Sequence, residues 1–385
     1  PINLGLSGGI QAGMKYAYQY GYDAVIQIDG DGQHQASYIE KLVDCMEETH
    51  ADIVIGSRFK EVKKEKSLRM FGSEIIRFLI KWTTHRNIMD PTSGMRIYNR
   101  RVMKAYTTED GRTVIFRPDL NASRFADSAK RLEMPAFPED KFVEAVVDTV
   151  KANAAYVPPY GSGASLYIRP YMFGISPVIG VKPAEEYQFR VFTTPVGPYF
   201  KGGVKPLTIC VSDFDRAAPH GTGHIKAGLN YAMSLHAIVT AHANGFDENM
   251  YLDSATRTKV EETGGANFLF VTKDGTVVTP HSSTILPSIT RRSLMYVAEH
   301  YLGLKVEERD VYFDEVKDFA ECGLCGTAAV ISPVGKVVNH GEEICFPSGM
   351  EKMGPVTQKL YDTLRGIQMG QIEAPEGWLK VVDVE

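Results

Sequence analysis

Apolar and polar positions follow two alternating periods over the first hundred residues. A helical period runs through residues 9–20 and 37–48, and short apolar runs typical of strands occupy residues 23–28 and 52–55. Strands that alternate with helices indicate a parallel sheet with helical crossovers. The pattern predicts an α/β segment over residues 1–105.

After this segment the pattern changes to turn-rich sequence with β-branched runs at residues 113–116 and 189–194. Strand-like residues 268–272 and helical spacing at 289–301 and 356–366 follow further along. This mixture is typical of an α+β arrangement.

A Gly- and Pro-rich stretch interrupts the second part of the chain and has the composition of a connection between domains. We therefore predict one domain at residues 106–195, an interdomain loop at 196–206 and a second domain at 207–385.

Composition narrows the functional classes. The 385 residues are 44% hydrophobic and 23% charged, which is ordinary for a globular protein, and the net charge of -5 argues against binding nucleic acid through its phosphates. No run of about 18 apolar residues predicts a membrane span. The five scattered cysteines form no disulfide framework, which favours a reducing compartment. We expect a cytoplasmic protein with small-molecule substrates.

Two carboxylates follow the first predicted strand. Asp29 and Asp31 lie in the sequence IDGDGQH, at the carboxyl end of that strand. Such a pair can hold Mg²⁺ or Mn²⁺ against a diphosphate, although the same residues are equally good turn formers.

Two further motifs accompany this pair: GSRF at residues 56–59 and DPTSGMR at 90–96. With them, the segment resembles family-two glycosyltransferases, in particular those that make polyprenyl-phosphate sugars. The resemblance implies a partial GT-A (Rossmann-like) α/β fold in which Asp29 and Asp31 hold the metal. Members of that family begin with strands that form the nucleotide-base pocket. The match here starts after those strands, so a truncated fragment is expected.

The sequence GHIKAGLNY at residues 223–231 contains a candidate catalytic lysine. A pyridoxal-phosphate (PLP) enzyme needs one lysine whose amine forms a Schiff base with the cofactor and then moves a proton. Lys226 is the candidate, and Tyr231 can hydrogen-bond the phenolate oxygen of the cofactor. A single lysine is most often a solvated surface residue, so the interpretation depends on its neighbours.

A pair of glutamates precedes a glycine pair and an apolar run in the sequence VEETGGANFLF. A buried carboxylate can keep a pyridine nitrogen protonated, and Glu262 is the candidate. Glu261 points to the opposite side if the backbone is extended. An exposed glutamate pair is the alternative.

Three motifs can hold a phosphate. A helix that begins after Pro287 offers the backbone N–H groups of Ile289 and Thr290. Thr327, in the small-residue sequence CGTAA, can reach the same phosphate, while Ala328 can reach a substrate carboxylate. Arg124 can add a charge-assisted contact, although a surface arginine is about equally expected.

In this order, the motifs resemble those of fold-type IV PLP aminotransferases, most closely the branched-chain amino-acid aminotransferases, from about residue 104 onward. The resemblance implies that Lys226 is the Schiff-base lysine, Glu262 pairs with the ring nitrogen and Tyr231 with the ring oxygen. It also assigns the phosphate to a set of four residues, which are Arg124, Ile289, Thr290 and Thr327.

The sequence SLYIRP at residues 165–170 matches the TyrXxxArg pair of the branched-chain enzymes. By that resemblance Tyr167 lines the side-chain pocket and Arg169 binds the distal carboxylate of glutamate, with Ala328 near the substrate. Tyr199 can close over the same pocket, although packing within the interdomain loop explains a tyrosine there equally well. D-amino-acid transaminases and aminodeoxychorismate lyases share the fold but lack this pair, so the sequence favours these two families less.

Cys322 and Cys325 form a CysXxxXxxCys sequence. Zinc would need a second such pair, and the redox pair of some relatives lies on the other side of the GlyThrAla sequence. The favoured interpretation is that the two cysteines are small buried residues. For His224, a packed structural role is favoured over a catalytic one.

The family resemblance also implies a homodimer and several dozen residues ahead of the matched region, where this chain carries the glycosyltransferase-like segment instead. Residues 104–106 fit the sequence patterns of both the glycosyltransferase and the aminotransferase family, which indicates that the two segments join there. The predicted reaction transfers an amino group between Leu, Ile or Val and 2-oxoglutarate. The alternatives are glycosyl transfer to a polyprenyl phosphate and a non-catalytic fusion product.

Overall fold

The computed structural model describes residues 103–176, 182–197 and 204–384. The chain divides into two compact units, Pro1–Ile97 and Tyr98–Glu385, and all described residues belong to the second unit. The predicted metal ligands Asp29 and Asp31 and the substrate candidate Tyr199 lie outside the described residues.

Five antiparallel strands form the first sheet, in the order β13-β2-β1-β3-β4. The last strand pairs with the second, with Leu379 opposite Phe116, so the chain end returns to the sheet in which the described region begins. The strands are β1 (Met103–Thr107), β2 (Thr113–Phe116), β3 (Ser165–Gly174), β4 (Tyr187–Val196) and β13 (Leu379–Val382).

Helices α1 (Pro118–Arg131) and α2 (Glu139–Ala152) pack against one face of this sheet. Along β1, Met103 and Ala105 belong to the core beneath these helices. Successive side chains on a strand point to opposite faces, so Lys104 and Tyr106 lie on the other face. Tyr106 accordingly packs into the core of the second sheet.

The second sheet is mixed and runs in the order β6-β5-β11-β10-β7-β8-β9, with β12 paired to β11. Strand β5 is parallel to β6 and β11, and β8 is parallel to β9. The strands are β5 (Leu207–Val211), β6 (Glu248–Met250), β7 (Asn267–Val271), β8 (Val277–Pro280), β9 (Val306–Arg309), β10 (Glu321–Gly326), β11 (Val330–Asn339) and β12 (Glu342–Cys345).

Hydrophobic cores cover both faces of this sheet, because β7 sends Leu269 and Val271 into one core and Phe268 and Phe270 into the other. A strand buried on both faces has a continuous apolar sequence, as residues 268–271 do. Helices α3 (Gly228–Ala243), α4 (Ile289–His300) and α5 (Pro355–Gln368) complete this domain, with two short 3-10 helices at Ala154–Tyr156 and Phe313–Asp318 elsewhere in the unit.

The two cysteines of the CysXxxXxxCys sequence lie on opposite faces of β10. Cys322 packs into the core that contains Phe268, and Cys325 into the core that contains Leu269. Residues three apart on a strand point away from each other, which prevents a disulfide between them. Burial raises the pKa of Cys325 to about 12, so its thiol stays protonated. Both observations support a structural role.

The predicted α+β arrangement is confirmed: strands occur at residues 113–116 and 267–271, and helices at 289–300 and 355–368. Over the described ranges, no helix is long and apolar enough to cross a membrane.

Candidate active site

A cavity of about 520 Å³, including its open mouth, is lined by five of the seven predicted cofactor-binding residues; Ile289 and Thr290 do not line it. It lies where α1, the segment before α3, the loop before β7, the start of α4 and the end of β10 meet. Its lining residues are Arg124, Arg216, Gly223, Ile225, Lys226, Asn230, Tyr231, Glu262, Gly264, Gly265, Asn267, Leu286, Ser288, Cys325, Gly326 and Thr327.

Lys226 lies in a segment that is held in place by hydrogen bonds to two helices. Its backbone N–H donates to the hydroxyl of Ser128 on α1 (3.2 Å). From α3, the Asn230 amide donates to the carbonyl oxygens of Thr222 (2.7 Å) and Ile225 (2.9 Å). The Lys226 Nζ atom lies 5.1 Å from the centroid of the Tyr231 ring, so the amine and the phenol face the same space.

Glu262 is buried in the cavity wall and is held by three groups. Its carboxylate accepts hydrogen bonds from the Asn267 amide (2.8 Å) and the Leu286 backbone N–H (2.9 Å), and it pairs with Arg216. Burial raises the pKa of Glu262 to about 7, although the charges of Arg216 and Lys226 oppose the shift. A cationic group bound in the cavity would therefore favour the ionised carboxylate.

Glu261 has a different environment from its neighbour. It is also buried, but it accepts hydrogen bonds from the hydroxyls of Ser282 (3.2 Å) and Thr284 and does not line the cavity. Both glutamates are buried, so the alternative of an exposed pair is wrong.

One end of the cavity is suited to an anion. Ser288 caps α4 by accepting a hydrogen bond from the Arg291 N–H, and Ile289 and Thr290 form the first turn. The N–H groups of a first helical turn have no partner within the helix, and they carry partial positive charge. The Arg124 guanidinium lies at the same place, donating to the Pro287 carbonyl at 3.3 Å.

Arg124 keeps its charge in this position. Burial lowers its pKa to about 10, which still leaves it cationic at neutral pH. Thr327 lies at the end of β10 and lines the same cavity, so a hydroxyl, a guanidinium and a helix N-terminus are available to one phosphate.

Arg216 is a buried residue of the site that the sequence did not single out. One of its terminal nitrogens contacts three groups: the carbonyl oxygen of Gly223 (3.1 Å), that of Thr284, and the Glu262 carboxylate. These partners lie far apart in the chain and belong to no local pattern, which is why the motif search missed Arg216.

Tyr167 and Arg169 lie on the first sheet and do not line the cavity. Tyr167 is opposite Lys104 in the β1–β3 register, so both side chains lie on the face away from α1 and α2. The Arg169 Nε atom donates to the Tyr167 hydroxyl at 3.1 Å. The Lys104 ammonium donates to the carbonyl of Ala328 at 2.9 Å, which links this face to the turn after Thr327.

The residues present fit PLP. An amine, a phenol and a buried carboxylate face one cavity, and an anion-binding end completes the set of groups that PLP needs. Across the described residues, no cluster of His, Cys, Asp and Glu is arranged to hold a metal ion.

Comparisons with known proteins agree with this arrangement. Residues 101–337 match the model of the Amino-transferase class IV family, and residues 1–107 match that of Glycosyl transferase family 2. The chain belongs to the class IV aminotransferases. The second match confirms that a glycosyltransferase-like segment precedes the aminotransferase.

Among the relatives of this aminotransferase is the branched-chain-amino-acid aminotransferase of Haemophilus influenzae, 50% identical over 286 residues, which are 73% of this chain and 83% of that protein. The Helicobacter pylori protein of the same name is 47% identical over 279 residues, 72% and 81% of the two chains.

Solved structures agree on the fold. The branched-chain amino acid aminotransferase of Escherichia coli superposes with a TM-score of 0.63 at 29% identity, covering 74% of this chain and 89% of that one. The Thermobaculum terrenum enzyme in its PLP form gives 0.63 at 28% identity, covering 78% and 96%.

Gly223 provides a test of how tightly the lysine segment is packed. A Cβ atom there would clash with the Thr284 carbonyl and lie 2.7 Å from the Cβ of Ala217. We expect Gly223→Ala to displace the segment that carries Lys226 and to cost roughly 1–3 kcal/mol of stability. Thermal unfolding and PLP binding by absorbance would measure both effects.

The matched control is Gly265→Ala, which lines the same cavity but has no atom within 4 Å of the added Cβ. Equal melting temperatures and equal PLP affinities for the two variants would contradict the packing argument.

Proposed function

We propose that this protein is a PLP-dependent transaminase that moves an amino group between Leu, Ile or Val and 2-oxoglutarate. The observation that carries the proposal is the convergence of Lys226, Tyr231 and Glu262 on one cavity with an anion-binding end. Over 286 residues the chain is also 50% identical to a branched-chain-amino-acid aminotransferase.

Each polar residue of the cavity then has a chemical role. PLP, when bound, supplies an electron-accepting ring that stabilises negative charge on the substrate α-carbon. The Nζ atom of Lys226 would take the proton from that carbon and deliver it to the cofactor. Glu262 would keep the ring nitrogen protonated, and the Tyr231 hydroxyl would donate to the ring oxygen.

The anion-binding end is assigned to the cofactor phosphate. In this proposal the backbone N–H groups of Ile289 and Thr290, the Thr327 hydroxyl and the Arg124 guanidinium hold it. A charge-assisted contact and a helix N-terminus are each favourable for a dianion, and together they fix its orientation.

Substrate choice is assigned to the face of the first sheet that carries Lys104. Tyr167 lines the apolar side-chain pocket, and Arg169 binds the distal carboxylate of glutamate or 2-oxoglutarate. The Arg169 guanidinium lies 5.3 Å from the centroid of the Phe192 ring and is bonded to Tyr167, so it is held in position before substrate binds. Ala328 and Tyr199 are assigned to the same pocket.

A homodimer is part of the proposal because α3 exposes apolar side chains. The helix buries the polar Asn230 and Ser234, whereas Met233 is 60% exposed and Leu235 56% exposed. An apolar stripe of this kind on the surface is typical of a protein interface. We infer that a second copy of the chain covers this surface, which consists of Phe214, Leu229, Met233, Leu235 and Val239.

The remaining assignments concern the chain as a whole. We place a join near residue 105, an interdomain loop at 196–206 and the cofactor-binding domain at 207–385, in a cytoplasmic protein. A Mg²⁺ or Mn²⁺ ion at Asp29 and Asp31 stays a prediction. Glycosyl transfer is the less supported activity, because the relatives that match about three quarters of the chain are branched-chain-amino-acid aminotransferases.

The first prediction of this proposal is spectroscopic. The full chain with PLP should show a visible absorption band that disappears on addition of L-leucine, because the amino group is transferred to the cofactor. Lys226→Ala should lack the lysine-linked band. Soluble, folded protein with no such band would rule out the activity.

Arg169→Met tests substrate recognition. The KM for 2-oxoglutarate should rise about tenfold or more, because a charge-assisted pair is lost, whereas the KM for 4-methyl-2-oxopentanoate should change little. Arg190→Met, on the neighbouring strand and stacked on Phe173, is the matched control. A parallel rise in both KM values would remove the assigned role.

Met233→Glu tests the interface. A charge in the centre of an apolar contact should convert the dimer to monomer, as measured by sedimentation equilibrium. Tyr156→Glu introduces the same charge at another exposed apolar position, 63% exposed, and should leave the dimer intact. A wild-type chain that is monomeric at micromolar concentration would contradict the proposal.

A further inference from the structure

A second cavity, of about 680 Å³ including its open mouth, lies beside the end of β1, the loop at residues 157–164 and the carboxyl end of α5. Its walls include Pro158, Pro159 and Met369, and its polar groups include Arg365, Tyr106 and Tyr160. None of these residues lines the active-site cavity. The second cavity is therefore a separate feature of the surface.

Arg365 is the cation of this cavity, and within the described ranges no carboxylate lies within salt-bridge distance of it. Its guanidinium lies 5.5 Å from the centroid of the Tyr106 ring, and its Nη1 atom donates to the Gln368 side-chain oxygen at 3.1 Å. A guanidinium has five N–H donors, and these two contacts with described residues are both neutral, so donors are left for a bound anion.

Two phenols add donors to the same cavity. Tyr106 is 3% exposed, and the centroid of its ring lies 5.5 Å from the Arg365 guanidinium. Burial raises its pKa to about 12, so the phenol keeps its proton. The Tyr160 hydroxyl accepts a hydrogen bond from the Gln371 amide at 2.8 Å, which leaves its own O–H to donate.

We propose that this cavity binds a small organic carboxylate with an apolar body, its carboxylate on Arg365 and its apolar part against the proline and methionine walls. One cation among apolar walls suits a monoanion. A phosphate would require more charged donors than the cavity contains.

Occupancy of the second cavity would affect the active site through Lys104. Burial and the charge of Arg365 lower the pKa of Lys104 to about 8. A carboxylate on Arg365 offsets that repulsion and keeps Lys104 protonated at higher pH. Lys104 donates to the Ala328 carbonyl, so a bound carboxylate would secure the turn that follows Thr327.

The test is the number of sites measured by calorimetry on the full, PLP-loaded chain with 4-methylpentanoate, which has no 2-oxo group and cannot react. The Arg365→Met variant should bind one molecule of 4-methylpentanoate fewer per chain than the wild type, or its affinity at one site should fall at least tenfold. Arg365→Lys, which keeps the charge, should retain the site with a smaller loss of affinity.

Arg112→Met is the matched control, because Arg112 is exposed and paired with Asp110. It should keep the site number of the parent. An equal number of sites with equal affinities in the parent and Arg365→Met would overturn the proposal. The readout is binding, so it holds even if the proposed transamination fails.

Discussion

The buried pair of Arg216 and Glu262 is the interaction on which the active-site cavity depends. Taking two charges out of water costs several kcal/mol each, and only close pairing with further hydrogen bonds offsets that cost. Arg216 provides the ion pair and the further hydrogen bonds, because the nitrogen that pairs with Glu262 also donates to the Gly223 and Thr284 carbonyls. One side chain thus joins the lysine segment, the glutamate loop and the segment before α4. The shape of the cavity follows from that junction.

Strand register provides the second constraint. Side-chain alternation along β1 places Met103 and Ala105 under the helices, and it places Lys104 and Tyr106 on the opposite face. Lys104 then reaches Ala328, 224 residues away in the chain. A shift of β1 by one residue would exchange its two faces and remove this link.

Among the described residues, Arg124 lines the active-site cavity and Arg365 lines the second cavity, and neither pairs with a described carboxylate. Around Arg124 and the start of α4, positive potential faces the active-site cavity, as a phosphate group requires. Around Arg365, positive potential faces a cavity with apolar walls, and it also lowers the pKa of Lys104. The same lysine therefore connects the two places.

The sequence by itself singled out Lys226, Tyr231 and Glu262, because each lies in a short motif that resembles those of fold-type IV PLP aminotransferases, and the three residues line one cavity. It also determined the strand at 113–116 and the helix at 289–300, where apolar period and turn residues agree. The tertiary structure alone decided the roles of Arg216, Lys104 and Arg365. Lys104 bonds to Ala328, Arg216 bonds to Thr284, and Arg365 contacts the ring of Tyr106. Contacts between residues tens to hundreds of positions apart leave no periodic trace in a sequence.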